Sequence, residues 1–326
     1  MNWLPTASMS KLQERAKIIQ MIRQFFIQRS LLEVETPTLS QSGVTDIHLF
    51  CFKTNFIGAD LSLTNQTTDG LPLYLQTSPE FHMKRLLAAG SGSIFQICKA
   101  FRNEESGRFH NPEFTILEWY QVDYDHQQLM NEMDQLLQLT LNCESARRCT
   151  YQNAFLEILN VDPLAASLDE LKQAGSKLKL GSVLDNEMDK DTVLQLLFCI
   201  AIEPVIAINK PCFIYDFPAS QAALARISEH DPRVAERFEV YYKGIELANG
   251  FHELSDPEEQ LNRFNKDNQI RKIKGLDEMP IDKNFIDSLE KLPNCSGVAL
   301  GIDRLIMLAT KQQHIDNVLS FTIKRA

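Results

Sequence analysis

The chain has 326 residues, of which 44% are apolar and 23% charged, with a formal charge of -10 and a pI near 5.3. This is the make-up of an ordinary globular protein that can bury a sizeable core, with room for about two domains or one large catalytic domain carrying an insertion. The acidic balance argues against a broad electrostatic grip on a polyanion and is compatible with a basic protein partner. The opening residues carry no apolar stretch of the secretory kind, no apolar run approaches the ~18 residues that a membrane span needs, and the seven cysteines form no C-x-x-C pair. A cytoplasmic protein with free thiols and no membrane contact is therefore expected.

In chain order, Ser10-x-x-Gln13 reads as a capping box, and Leu12, Ala16, Ile19, Ile22 and Phe26 recur on one helical face that ends near Ser30. Val34-Glu35-Thr36-Pro37 reads as extended, because the residue before proline avoids the helical region. A second helix is predicted to open with Ser78 as its cap and Pro79 at its first position, and to stop at Gly90 and Gly92. Residues 94–103 and 113–123 read as two strands joined by a polar loop. From about 125 to 205 the pattern turns helical and reads as an insertion. Strand character returns at 212–216 and 238–242, Asp256-Pro257 opens a further helix, and a last strand at 298–302 leads into a helix from about Asp303. Strands beside their chain neighbours, with helices set apart, predict an α+β domain built on an antiparallel sheet flanked by helices.

Two stretches carry polar chemistry at strand spacing. In the predicted hairpin, Arg102 and Glu104 share one face of the first strand, and Phe114, Ile116, Glu118 and Tyr120 share one face of the second. A cation, two carboxylates and aromatics over one sheet suit a nucleotide and an amine; read by spacing alone they equally suit an exposed face with ordinary ion pairs. The second stretch runs from Glu239 through Glu246-Leu247-Ala248-Asn249-Gly250-Phe251-His252-Glu253. A two-residue turn at Lys243-Gly244 sets Glu239 opposite Ala248 with Glu246 its diagonal neighbour, and a bulge near Asn249-Gly250 then joins Asn249, Phe251 and Glu253 to the same face. A turn at Asn249-Gly250 would instead oppose Glu246 and Glu253. In both cases carboxylates are crowded, which asks for a cation; Mg²⁺ suits oxygen ligands of this kind, and a solvated acidic hairpin is the plainer alternative.

The wording of these stretches resembles a known family. Phe101-Arg102-Asn103-Glu104, followed after five residues by His110-Asn111-Pro112-Glu113-Phe114-Thr115 and Leu117-Glu118, resembles motif 2 of class II aminoacyl-tRNA synthetases in its lysyl form. Gly297 to Leu305 (GVALGIDRL) resembles motif 3, and the segment ending at Pro37 resembles motif 1; the order is the family's and the likeness covers about residues 10–326. The resemblance implies a single catalytic domain over residues 1–326 that uses ATP and Mg²⁺. It assigns Arg102 to the α-phosphate and Arg304 to the γ-phosphate, Glu104 and Asn111 to the adenine end with Phe114 stacked on the base, and Asn103, His110, Leu247 and Gly301 to the ATP site. It assigns Glu239 and Glu246 to metal and ATP. Glu253 and Tyr120, with Glu80 and Glu118 nearby, fall to the distal ammonium of a lysine-like substrate, and Ser78, Pro79, Asn249, Phe251 and Ala299 complete the amino-acid site.

Motif 1 begins about ten residues into the chain, which leaves no room before it for an N-terminal anticodon-binding barrel. This layout resembles the elongation factor P–lysine ligases, whose acyl group, (R)-β-lysine, goes to a lysine of that factor. A homodimer through the motif 1 helix and no stable tRNA binding are then expected. Ala299 stands where the lysyl synthetases carry the middle glycine of G-x-G-x-G, and one methyl beside the amino-acid pocket is worth about 1–3 kcal/mol of discrimination. A truncated synthetase acylating tRNA or a small amine, and a non-catalytic regulatory paralogue, are the alternative readings.

Overall fold

The computed structural model describes residues 3–58 and 70–326. Its strands are β1 (Leu32–Glu33), β2 (Leu39–Ser40), β3 (Lys53–Phe56), β4 (Leu71–Leu75), β5 (Ile94–Phe101), β6 (Glu113–Val122), β7 (Arg147–Thr150), β8 (Cys212–Pro218), β9 (Val234–Tyr242), β10 (Ile245–His252) and β11 (Cys295–Gly301). The chain divides into two compact units: Met1–Asp123 with Leu254–Cys295 and Ala299–Ala326, and Tyr124–Glu253 with Ser296–Val298. An eight-stranded sheet supplies β1-β5-β6 to the first unit and β10-β9-β8-β7 to the second, while β11 has residues in both. The predicted α+β class is observed. The sheet is mixed rather than purely antiparallel, because β1 pairs with β5 and β7 with β8 in parallel. All seven cysteines are free.

In the first unit, the helix Met9–Ile27 is capped by Ser8, whose hydroxyl accepts from the Lys11 amide at 3.4 Å. The cap therefore lies two residues before the predicted Ser10, and the predicted apolar stripe is buried only at its end: Ile22, Phe25 and Phe26 are inside, whereas Ala16 is exposed. Phe26 stacks on Phe95 at 4.9 Å between ring centroids and meets Trp119 at 5.0 Å, which seats the helix on the β5–β6 pair. That pair runs from Ile94 opposite Tyr120 to Phe101 opposite Glu113. It ends before Arg102, and Glu104 turns left-handed at φ 70, so the predicted common face of Arg102 and Glu104 does not form. A separate three-stranded sheet, β2-β4-β3, has no counterpart among the predicted elements.

In the second unit the predicted insertion holds helices at His126–Leu141, Tyr151–Leu159, Leu168–Lys177 and Lys190–Leu197, and also the short strand β7. Tyr151, Phe155, Phe198 and Phe217 pack together beneath β8. The β9–β10 hairpin turns at Lys243-Gly244, both at positive φ (53 and 70), with Tyr242 opposite Ile245. This is the first of the two predicted turns, and it needs a glycine-tolerant pair because both central residues are left-handed.

Candidate active site

The first unit carries a buried acidic pocket. Glu118, on β6, is enclosed, and its two oxygens accept from the Ser78 hydroxyl at 2.7 Å and the Tyr120 hydroxyl at 2.6 Å. The helix Glu80–Ala88 starts beside it. Pro79 stands at its cap position, one residue later than predicted, which frees the Ser78 hydroxyl to accept the Glu80 amide at 3.1 Å while donating to Glu118. One turn on, Lys84 is fully buried and pairs with Glu80 at 2.6 Å, with the Phe285 ring 5.8 Å away. Two carboxylates against one ammonium leave the pocket short of a positive charge. Burial, then the neighbouring Glu80, push the Glu118 carboxyl up to about 7, against the pull of Tyr120, Ser78 and Lys84.

A second group of the same unit gathers on the loop after β5. Arg102 lies over the Phe114 ring, 5.1 Å to its centroid, and its Nη1 is 3.6 Å from Glu105. Among the described residues Arg102 Nε is buried without a hydrogen-bond partner, a donor poised for an anion. Arg304, in the helix Ile302–Ala309, donates to the Phe109 carbonyl at 3.3 Å and lies 2.5 Å from His110 Nε2; Glu105 is 3.9 Å from the same ring nitrogen. Asn111 is spent on the backbone: its amide donates to the Glu113 carbonyl at 2.6 Å and its oxygen accepts from the Ile323 amide at 3.1 Å. The loop is thus tied to the C-terminal segment by Asn111. Asp303, beside Arg304, is anchored by Arg15 at 2.6 Å and by the Thr115 amide at 2.8 Å.

The second unit carries a carboxylate face on the β9–β10 hairpin. Glu239 is opposite Asn249, not Ala248, because the strand carries an extra residue between Glu246 and Ala248. The bulge is therefore at Leu247, two residues before the predicted place, and it has the predicted effect. Glu246, opposite Tyr241, and Asn249, opposite Glu239, come to one face, with Phe251 opposite Arg237 on that face too. Glu239 is buried between Arg237 and the Tyr241 hydroxyl, one on each oxygen. Burial raises the Glu239 carboxyl and Glu246 adds to the rise; Arg237 opposes both. Arg237 also donates to Asn249 at 3.2 Å and to the Gln221 carbonyl at 2.7 Å. A carboxylate oxygen has two lone-pair sites, so one per oxygen of Glu239 remains for a cation beside Glu246, and the all-oxygen set fits a hard ion such as Mg²⁺. Gly250 is required here by space: a Cβ would lie 2.4 Å from the Phe238 ring. Glu253 is buried just past β10, its carbonyl held by Arg226 at 3.1 and 3.2 Å.

Residues 2–325 match the family described as tRNA synthetases class II (D, K and N). The chain belongs to this family. It is 60% identical over 326 residues to the elongation factor P–(R)-β-lysine ligase of Vibrio cholerae, covering 100% of this chain and 99% of that protein. It is 58% identical to the ligase of the same name in Vibrio atlanticus, covering 99% of each chain. It is 57% identical to the one in Salmonella typhi, covering 99% of this chain and 98% of the other.

Seen as a class II synthetase, the chain brings Ser78, Pro79, Glu80, Glu118 and Tyr120 together in one unit. Arg102, His110, Phe114 and Arg304 form a neighbouring group, and Glu239, Glu246, Asn249 and Phe251 form the face of the other unit. Glu104 is exposed and left-handed, and its amide donates to its neighbour Asn103 at 3.0 Å. Leu247 is buried at the bulge and Ala299 is half-buried in β11. Gly301 has φ -71, a region open to any residue, so the dihedral does not explain the glycine. Sequence reasoning missed Arg15, Lys84, Glu105 and Arg237. Lys84, Glu105 and Arg237 supply the opposite charge to Glu80, Arg102 and Glu239, and Arg15 anchors Asp303; for Lys84 and Arg237 the crowding of carboxylates at 80, 118, 239 and 246 was the available signal.

Proposed function

We propose that this chain uses ATP to activate (R)-β-lysine, or lysine, as an aminoacyl-adenylate and passes the acyl group to a lysine side chain of elongation factor P. The carrying observation is the buried Glu80–Glu118 pocket, which has one ammonium for two carboxylates and a Tyr120 hydroxyl beside them. Burying an ammonium without such partners is costly, so a pocket of this kind selects a substrate with a distal amine. The names of the relatives support the choice of acceptor.

In this reading Arg102 binds the α-phosphate. As the substrate carboxylate attacks phosphorus and pyrophosphate leaves, negative charge grows on the equatorial oxygens, and the fixed guanidinium stabilises it. Arg304, oriented by the Phe109 carbonyl and His110, holds the terminal phosphate. Glu239 and Glu246 would hold Mg²⁺, which when bound neutralises phosphate charge. The acceptor amine must be neutral to attack the acyl-adenylate, with AMP leaving, although a free lysine has a pKa near 10.4. Residues 1–326 act as one catalytic domain with a helical insertion at about 125–205. The enzyme works in the cytoplasm, does not hold tRNA stably, and is a homodimer through the helix Met9–Ile27, whose Met21 and Ile27 are exposed. Among the described residues no helix is long and apolar enough to cross a membrane.

The test is intact-mass spectrometry of elongation factor P incubated with the enzyme, ATP, Mg²⁺ and (R)-β-lysine, with a parallel assay of acylated tRNA. A gain of one β-lysyl group on the factor is expected. An unmodified factor, or acyl groups on tRNA alone, refutes the reading.

A further inference from the structure

Alternation along β9 puts Glu236, Phe238 and Val240 on the side of the hairpin away from Arg237, Glu239 and Tyr241. The helix His126–Leu141 packs on β9 and β10. Its first residue, His126, meets Glu236 and His252 there, and the ligating atoms of the three side chains all lie within 4.8 Å of one another. His126 Nδ1 is 3.8 Å from a Glu236 oxygen that is hydrogen-bonded to His252 Nδ1. On the other edge of the His126 ring, Asp216 lies 3.8 Å from Nε2. Asp216 is left-handed at φ 58 and stands where β9 carries one extra residue, Glu236 and Arg237 together opposing it.

His126 is only 8% exposed, and its Nδ1 has no hydrogen-bond partner among the described residues. A buried ring nitrogen left unsatisfied is costly. Gln127 can donate to Nε2 at 3.1 Å, but this fixes the proton on Nδ1, where Glu236 is too far to accept it. Rotation of the Gln127 amide sets its oxygen against a proton on Nε2, at the loss of the Arg148 contact to that oxygen, and leaves the Nδ1 lone pair directed at Glu236 and His252.

We propose that His126, Glu236 and His252 form a binding site for one divalent transition ion of the zinc type. Two imidazole nitrogens and one carboxylate oxygen are a zinc donor set, and the bond lengths of ~2.0–2.1 Å bring ligand atoms to about 3.3 Å apart. The His126–Glu236 gap closes by about half an ångström to reach this, and the ion takes the place of the proton between Glu236 and His252. The donor set differs from the all-oxygen face of Glu239 and Glu246, so Mg²⁺ does not compete for it. The ligands come from residues 126, 236 and 252, which is why no short-spacing motif announces them.

The experiment is calorimetric titration of ZnCl₂ into the full-length protein, stripped with chelator and held in excess MgCl₂, with Co²⁺ absorption in the visible as a probe of coordination. One Zn²⁺ per chain is expected, with affinity falling by about 100-fold or more in His126→Gln and in His252→Gln. Zn²⁺ should also raise the unfolding temperature of the unaltered protein but not of the variants. If His252→Gln fails to fold, His126→Gln decides, because it leaves the Glu236–His252 bond in place. No stoichiometric binding, or a Zn²⁺ affinity in His126→Gln within threefold of the unaltered protein, overturns the proposal. The readout is metal binding alone, so it is independent of whether elongation factor P is the acceptor.

Discussion

Glu118 is held as a destabilised carboxylate. Its carboxyl is raised from 4.5 to about 7, chiefly by burial and then by Glu80. The folded state therefore binds this proton more tightly than the unfolded chain. The associated stability is fully present below pH 4.5 and is lost as pH rises through 7. A gap of about 2.5 units at 1.36 kcal/mol each gives a penalty on the order of 3 kcal/mol above pH 7. In Glu118→Gln, the amide oxygen still accepts from Tyr120 and the amide nitrogen faces Ser78, so the pocket keeps its bonds without the charge. Urea unfolding of both proteins at pH 5 and pH 8 should show the difference moving in favour of the variant by roughly 2–3 kcal/mol on going to pH 8. Adenylation shows the converse. Apparent affinity for the amine substrate in the unaltered enzyme should improve as pH rises through 7, and the variant should lose both the affinity and its pH dependence. A stability difference that stays flat from pH 5 to pH 8 would refute the buried, proton-retaining carboxylate.

Arg102→Ala should lower the rate of ATP–pyrophosphate exchange by about 10²–10³ with folding intact, as the loss of a donor to developing charge does. Arg15→Met leaves buried Asp303 without its ion-pair partner and should cost about 3–5 kcal/mol in urea unfolding. Ala299→Gly should raise the use of α-lysine relative to β-lysine in pyrophosphate exchange, by up to the 10–200-fold that a methylene-sized change allows; an unchanged ratio removes Ala299 from the specificity argument.

The α+β class, the β5–β6 hairpin and the turn at Lys243-Gly244 were legible because apolar alternation and turn chemistry are local signals. Register was less so. The bulge at Leu247 is one buried leucine inside a strand, and nothing in its identity distinguishes it from an ordinary strand residue. Glu104 was misplaced for a related reason: strand alternation was extended to it past Phe101, where the chain leaves the sheet and turns left-handed. Asn111 was read as a nucleotide contact because its motif names it, but its partners, Glu113 and Ile323, are backbone groups that no spacing reveals. Arg15 and Asp303 lie 288 positions apart, as the two residue numbers show, and their pairing is a product of the fold alone. The group of His126, Glu236 and His252 leaves no local signal, because its members sit on three separate elements and meet only in the fold.

The extra residue at Leu247 also marks where this arm can be shortened without being turned over. Remove that one amino acid and Glu246 still opposes Tyr241 while Ala248 still opposes Val240, so Asn249 and Phe251 keep their places beside Glu239 and Arg237. A one-codon deletion past Ala248, in the regular part of the arm, instead sends Phe251 and His252 to opposite sides and dismantles two chemically unrelated groupings at once.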